Sequence, residues 1–250
     1  MDKTTYPLFA ITRLGDHALI LGQRLSEWCG HGPVLEQDIA LSNIALDLIG
    51  QARNWYTLAA NLHPTFSHED AFAFERNERE FTNFLLTEIP NGNWAQTIWR
   101  QFFFDAWHEA YLTLLTQHEH PDVAGIAQKS LKEVKYHLKW SSEWVIRLGN
   151  GTEVSKSKMV EALPFVWNYA GEWLEETFAE EAQQAGWPGE HAVKDIWWER
   201  VRQVMREAGI PVPLEVPYKT GSAHGIHTEW LGYILAEMQF LPKTYPGAQW

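Results

Sequence analysis

Cysteine is almost missing from this chain. Cys29 stands alone among 250 residues, so no intrachain disulfide and no cysteine-based metal knuckle can form. A single thiol near a helix end is expected to serve as a small buried apolar residue. Long apolar runs are missing too. No uninterrupted stretch approaches the ~20 residues that a bilayer span needs. The first six residues lack the basic region and apolar run of a secretory signal, and a cytoplasmic protein is expected. Basic residues are in deficit: 20 Lys and Arg against 32 Asp and Glu give a formal charge of −12. That balance argues against nucleic acid or an anionic membrane as partner and permits docking to a basic one. The sequence also has no Gly-x-Ser-x-Gly nucleophile elbow and no phosphate-binding glycine loop. It shows neither sustained strand-like alternation nor an internal repeat.

What remains is helical. From about Pro7 to Cys29, Leu8, Ile11, Leu14, Ala18, Leu21, Leu25 and Trp28 keep an amphipathic rhythm. A second helix is expected over about Val34–Asn61, a shorter one over Glu69–Glu88, and long ones over about Trp94–Gln117 and, after His120-Pro121-Asp122, to about Leu148. Asn93 suits the N-cap of the third long helix, and Gly149-Asn150-Gly151 ends the fourth. Further helices are expected over Ser155–Ala185, His191–Ala208 and the stretch after Thr228. Fourteen Trp and twelve Phe favour broad interhelical packing or a buried partner interface. The expectation is an all-α, ferritin-like long-helix bundle, a single domain over 1–250. Its core lies at about 7–150 and a C-terminal helical extension at about 151–250.

The chemistry gathers on two helices, one carrying Asp105-Ala-Trp-His108 and the other Glu133-Val-Lys-Tyr136-His137. An acid three or four residues before a histidine shares its helix face. Four-helix bundles hold two-metal sites with such pairs, a Glu from each of two helices and Glu-x-x-His from each of the others. Asp47, Asp105 and Glu133 are the candidate inward acids, yet Gly50 and Tyr136 occupy the expected imidazole positions. His137 is one residue away, rotated by about 100°. Two readings follow: a degenerate, metal-free polar cluster of Asp47, Asp105, His108, Glu133 and His137, or an unusual working metal site. Buried acids without metal must be protonated or paired, and Arg53, Lys132, Lys135, His108 and His137 are near enough in register to supply that pairing.

Three other features have two readings each. The charged run Arg76–Asn83 is a solvated helix face or a rim facing an anionic ligand. Glu172, Glu175, Glu176, Glu180 and Glu181 form a solvated surface or a dock for a basic partner. His224, His227 and Glu229 suggest a metal, but they straddle a helix start where Thr228 is a natural N-cap.

Several blocks resemble the C-subunit family of bacterial phenylacetyl-CoA epoxidases. They are Leu14-Gly15-Asp16, Gln23 to His31, Asn43 to Asn54, Pro90-Asn91-Gly92-Asn93, Asp105 to His108, Lys132-Glu133 with Tyr136-His137-Leu138, Arg147 to Thr152, and Ala236 to Gln239 with the ending Gln249-Trp250. The resemblance implies a ferritin-like structural subunit of a multicomponent monooxygenase that epoxidises the ring of phenylacetyl-CoA. It implies no cofactor in this subunit and a di-iron centre in a related catalytic A subunit. The two would form a heterodimer and assemble further, with a small B subunit and a reductase. It also implies that phenylacetyl-CoA lies near the interface, with Glu80, Phe81, Thr82 and Asn83 as the substrate-binding candidates.

Overall fold

The computed structural model describes residues 5–175, 177–214 and 219–248. Glu176 and the Gln249-Trp250 ending, named above, lie outside them, as do the first four residues. The described residues are all-α, with no strand among them, as expected of a ferritin-like helical protein. None of their helices is long and apolar enough to cross a membrane.

The helices are α1 (Tyr6–Ser26), α2 (Leu35–Ala60), α3 (Glu69–Phe74), α4 (Leu85–Glu88), α5 (Trp94–Leu115), α6 (Pro121–Gly149), α7 (Glu153–Trp167), α8 (Ala179–Gln184), α9 (Lys194–Glu207), α10 (Glu229–Met238) and α11 (Phe240–Thr244). Their contacts group the chain into two compact units, Met1–Pro90 with Gly221–Trp250, and Asn91–Thr220.

In the first unit α1 and α2 pack antiparallel. Gly15 lies against the ring of Tyr56, and Gly22 against Ala45, Leu48 and Ile49. Both glycines let the helix backbones approach, since a Cβ at Gly15 would run into Tyr56. α1 is buried almost all round. α2 buries one stripe, Ile44–Leu48–Gln51–Trp55, and leaves Leu35, Ile39 and Leu46 in solvent. The expected helix over Glu69–Glu88 is broken into α3, a 3₁₀ turn at Glu78–Glu80 and α4. The break follows from Asn77, whose extended backbone starts a capping box with Glu80. Cys29 is exposed in the turn after α1 and does not fill a core position.

In the second unit α5 and α6 are antiparallel, with Trp94 packed edge-on against Trp140 and Trp144. Asn93 caps α5, its Oδ1 accepting from the Gln96 amide at 3.1 Å. α5 is buried nearly all round, and its Trp99, Phe103 and Trp107 build the core with Trp167, Trp173 and Trp197. The expected helix over Ser155–Ala185 ends at Trp167, shortly after Pro164. A 3₁₀ turn at Glu172–Leu174 and the short α8 follow. The acidic residues there do not form one solvated face, because Glu172 is buried while Glu180 is exposed.

Candidate functional site: two buried polar centres

Each unit holds a buried polar centre. In the second unit Asp105 is wholly buried on α5. Gln101, one turn earlier, donates from Nε2 to Asp105 Oδ1 at 2.7 Å. Ser141, across on α6, donates from Oγ to Oδ2 at 2.8 Å. Burial pushes the carboxyl pKa up to about 7, although the charge of His137 and the hydrogen bonds from Ser141 and Gln101 act in the opposite direction. Asp105 is therefore poised between acid and carboxylate near neutral pH. His137 shares its buried surroundings, one turn before Ser141 on the same face of α6. His108 is also buried, packed on the rings of Trp107 and Phe104.

The remaining candidates sit elsewhere. Glu133 and Asp47 are only half-buried, Tyr136 is 53% exposed, and Gly50 is exposed with open space where a Cβ would stand. The inward faces of α2 and α6 carry Gln51 and His137, each one residue beyond the positions that the Glu-x-x-His pattern singles out. Of the expected pairing partners, His137 acts on Asp105 through its charge, beside the neutral donors Gln101 and Ser141, whereas Arg53 meets Glu69 at 3.1 Å in an open position and Lys132 and Lys135 are exposed.

A di-iron centre requires about four carboxylates and an imidazole on each metal. The second unit offers one fully buried acid beside His137, and both oxygens of that acid already accept hydrogen bonds. Among the described residues, no group of three or more His, Cys, Asp or Glu is placed to hold a metal ion. The donor set does not fit two metals.

The centre in the first unit is built on Asp16, which is not among the candidate site residues, and draws in Arg76 and Thr82 from the charged run. Asp16, in the middle of α1, is fully buried. Its carboxylate accepts from Tyr56 Oη at 2.7 Å, from the Thr82 amide at 2.8 Å and from Thr82 Oγ1 at 3.1 Å, and it is paired with the Arg76 guanidinium. Arg76 also donates to the carbonyls of Phe72 at 2.6 Å and Glu80 at 2.9 Å, and lies over the Phe81 ring at 4.1 Å. Both carboxylate oxygens of this ion pair are used, which is what a buried pair requires. No local signal in the sequence marks it, since Asp16 reads as one polar residue among several in an amphipathic helix.

A second buried pair joins α4 to the segment before α10. Glu88 Oε1 faces His227 Nδ1 at 2.6 Å, and Glu88 Oε2 accepts from the Thr228 amide at 2.9 Å and from Thr228 Oγ1 at 2.5 Å. The other ring nitrogen, His227 Nε2, faces the Phe81 carbonyl at 2.8 Å and must carry a proton to bond it. Burial alone would lower the His227 pKa, but the hydrogen bond and charge of Glu88, the Phe81 carbonyl and the charge of Asp16 raise it. Thr228 stands at the N-cap of α10, but its hydroxyl serves Glu88 and not the helix.

Of the substrate-binding candidates, Phe81 and Asn83 are fully buried, and Asn83 donates to Glu88 at 3.0 Å. Glu80 and Thr82 reach the wall of a cavity of about 670 Å³, lined also by Phe9, Phe66 and Phe72.

A family described as phenylacetic acid catabolic protein matches residues 2–250. The chain is also 47% identical over 240 residues to the C subunit of the 1,2-phenylacetyl-CoA epoxidase of Escherichia coli (strain K12), covering 95% of this chain and 96% of that relative.

Proposed function

The chain belongs to the phenylacetic acid catabolic protein family, and from that premise we propose that it is a non-catalytic, structural subunit of a phenylacetyl-CoA epoxidase. It binds and positions the catalytic A subunit, which carries the di-iron centre, in aerobic phenylacetate degradation in the cytoplasm. The observation that carries this reading is the state of Asp105. The acid best placed to bind metal is enclosed, accepts a hydrogen bond on each oxygen from Gln101 and Ser141, and is pushed by burial towards its neutral form. An acid whose two oxygens accept hydrogen bonds from α5 and α6 keeps those helices in register without a metal.

A subunit that works by holding another needs a surface for it. α2 presents Leu35, Ile39 and Leu46 to solvent along one face, with Gly50 leaving the helix backbone open beyond them. Exposed apolar stripes of this kind mark protein contacts. Phenylacetyl-CoA, in this reading, lies near the subunit interface, where Glu80 and Thr82 border the aromatic-lined cavity.

Co-expression tests the proposal. With this chain present, the catalytic subunit is expected to stay soluble and to co-purify with it in fixed ratio. A charged residue in the stripe, Leu46→Asp, is expected to weaken that association and leave this chain folded. Recovery of the catalytic subunit in equal yield and activity without this chain would refute a structural role.

A further inference from the structure

α6 turns a basic face to solvent in a chain whose net charge is −12. Lys129, Lys132, Lys135, Tyr136 and Lys139 are all exposed. At ~100° per residue they fall within about a third of the helix circumference, along about 15 Å of axis. Lys139 has a nearby acid, Glu143 at 3.9 Å. Lys129, Lys132 and Lys135 enter no ion pair among the described residues. Glu109, Arg200 and Glu207 line the cleft beside Lys135 and Lys139, but Arg200 faces Glu109 at 4.0 Å and Gln203 donates to Glu207 at 3.0 Å. The outer row of Lys129, Lys132 and Lys135 is thus left without an acidic partner among the described residues, with Tyr136 in its midst.

We propose that this face is a docking surface for an acidic patch on another protein component of the same assembly, one that binds reversibly. The inference rests on the reading of the chain as an epoxidase subunit. A small anion is the wrong occupant, because the lysines are spread along a convex helix and do not converge. A nucleic acid or anionic membrane is also the wrong occupant, since a chain of charge −12 repels both at long range. An exposed tyrosine among lysines suits a protein surface, where one aromatic anchor sits inside a charged field that steers encounter. Lysine is depleted in the cores of permanent interfaces, so this face fits a partner that arrives and leaves quickly. Asp122 and Glu143, near the two ends of the row, reject an acidic patch that is shifted along the helix.

The test uses the complete purified assembly, with p-benzoylphenylalanine replacing Tyr136 and mass spectrometry locating the photo-crosslink. A crosslink to an acidic segment of another component is expected, and it is expected to fade at ~0.5 M salt as screening shortens the reach of the charges. The triple variant Lys129→Glu/Lys132→Glu/Lys135→Glu, with unchanged circular dichroism, is expected to weaken that component's binding by about tenfold or more at low salt. The proposal is overturned by no crosslink, by a crosslink to a second copy of this chain, by one that ignores salt, or by unaltered affinity in the triple variant. If the unmodified chain instead failed to co-purify with any epoxidase component, the proposed function would fail, a distinguishable result.

Discussion

Ser141 on α6 donates to Asp105 on α5 across 2.8 Å, with both side chains out of solvent. Where a two-metal bundle would place a ligand, this pair places a hydrogen bond between helices, and the pH behaviour of the protein follows from it. Asp105 has a folded pKa of about 7 against an ordinary 3.8. The folded state thus holds the proton more tightly, and this group costs stability progressively as pH rises between those values. The whole gap is worth at most ~4 kcal/mol. Asp105→Asn keeps the shape and removes the titration. Its melting temperature relative to the parent is expected to rise from pH 5 to pH 8. A difference independent of pH would contradict the assignment.

In the first unit, Arg76→Ala leaves the Asp16 carboxylate buried beside Tyr56 and Thr82 without its counter-charge. Breaking one side of such a pair costs ~3–5 kcal/mol. Urea denaturation should show a loss of that size, and a loss below ~1 kcal/mol would mean that the pair is not buried as described.

His227 gives a second pH response. Its folded pKa is raised, so its contribution is fully present below the ordinary value of 6.5 and is lost as pH rises through the folded value. Replacement by Gln is expected to destabilise the protein at pH 6 and to have less effect at alkaline pH. Stability curves of the two proteins that stay parallel across this range would show that Glu88 and His227 do not pair as charges.

Gly225 has a positive φ of 70°, and a Cβ there would collide with the Arg79 carbonyl. Gly225→Ala is expected to cost more than ~1 kcal/mol and to speed amide hydrogen exchange in α10. Exchange equal to that of the parent would show that this segment is not held by the close approach.

The long helices were legible because their apolar periodicity and their caps agree, as at Asn93 and Gly149. Asp105, His108 and His137 were legible as buried polar residues, since each interrupts an apolar stripe. The inward register was not legible to one residue. Gln51 and His137 face in while Gly50 and Tyr136 face out, a difference set by tertiary packing and invisible in a ligand pattern. Asp16–Arg76 and Glu88–His227 were hidden because their partners lie 60 and 139 residues apart. No local spacing encodes that. Phe81 and Asn83 looked like rim residues because charged neighbours surround them, whereas the 3₁₀ turn at Glu78–Glu80 directs them inward.

Iron content tests the central claim most directly, measured on this chain purified alone and again in complex with the catalytic subunit. A structural, metal-free subunit predicts no stoichiometric iron in the isolated chain and iron in the complex that is unaffected by Asp105→Asn in this chain. Two irons per isolated chain, lost on substitution of Asp105 or Glu133, would contradict it.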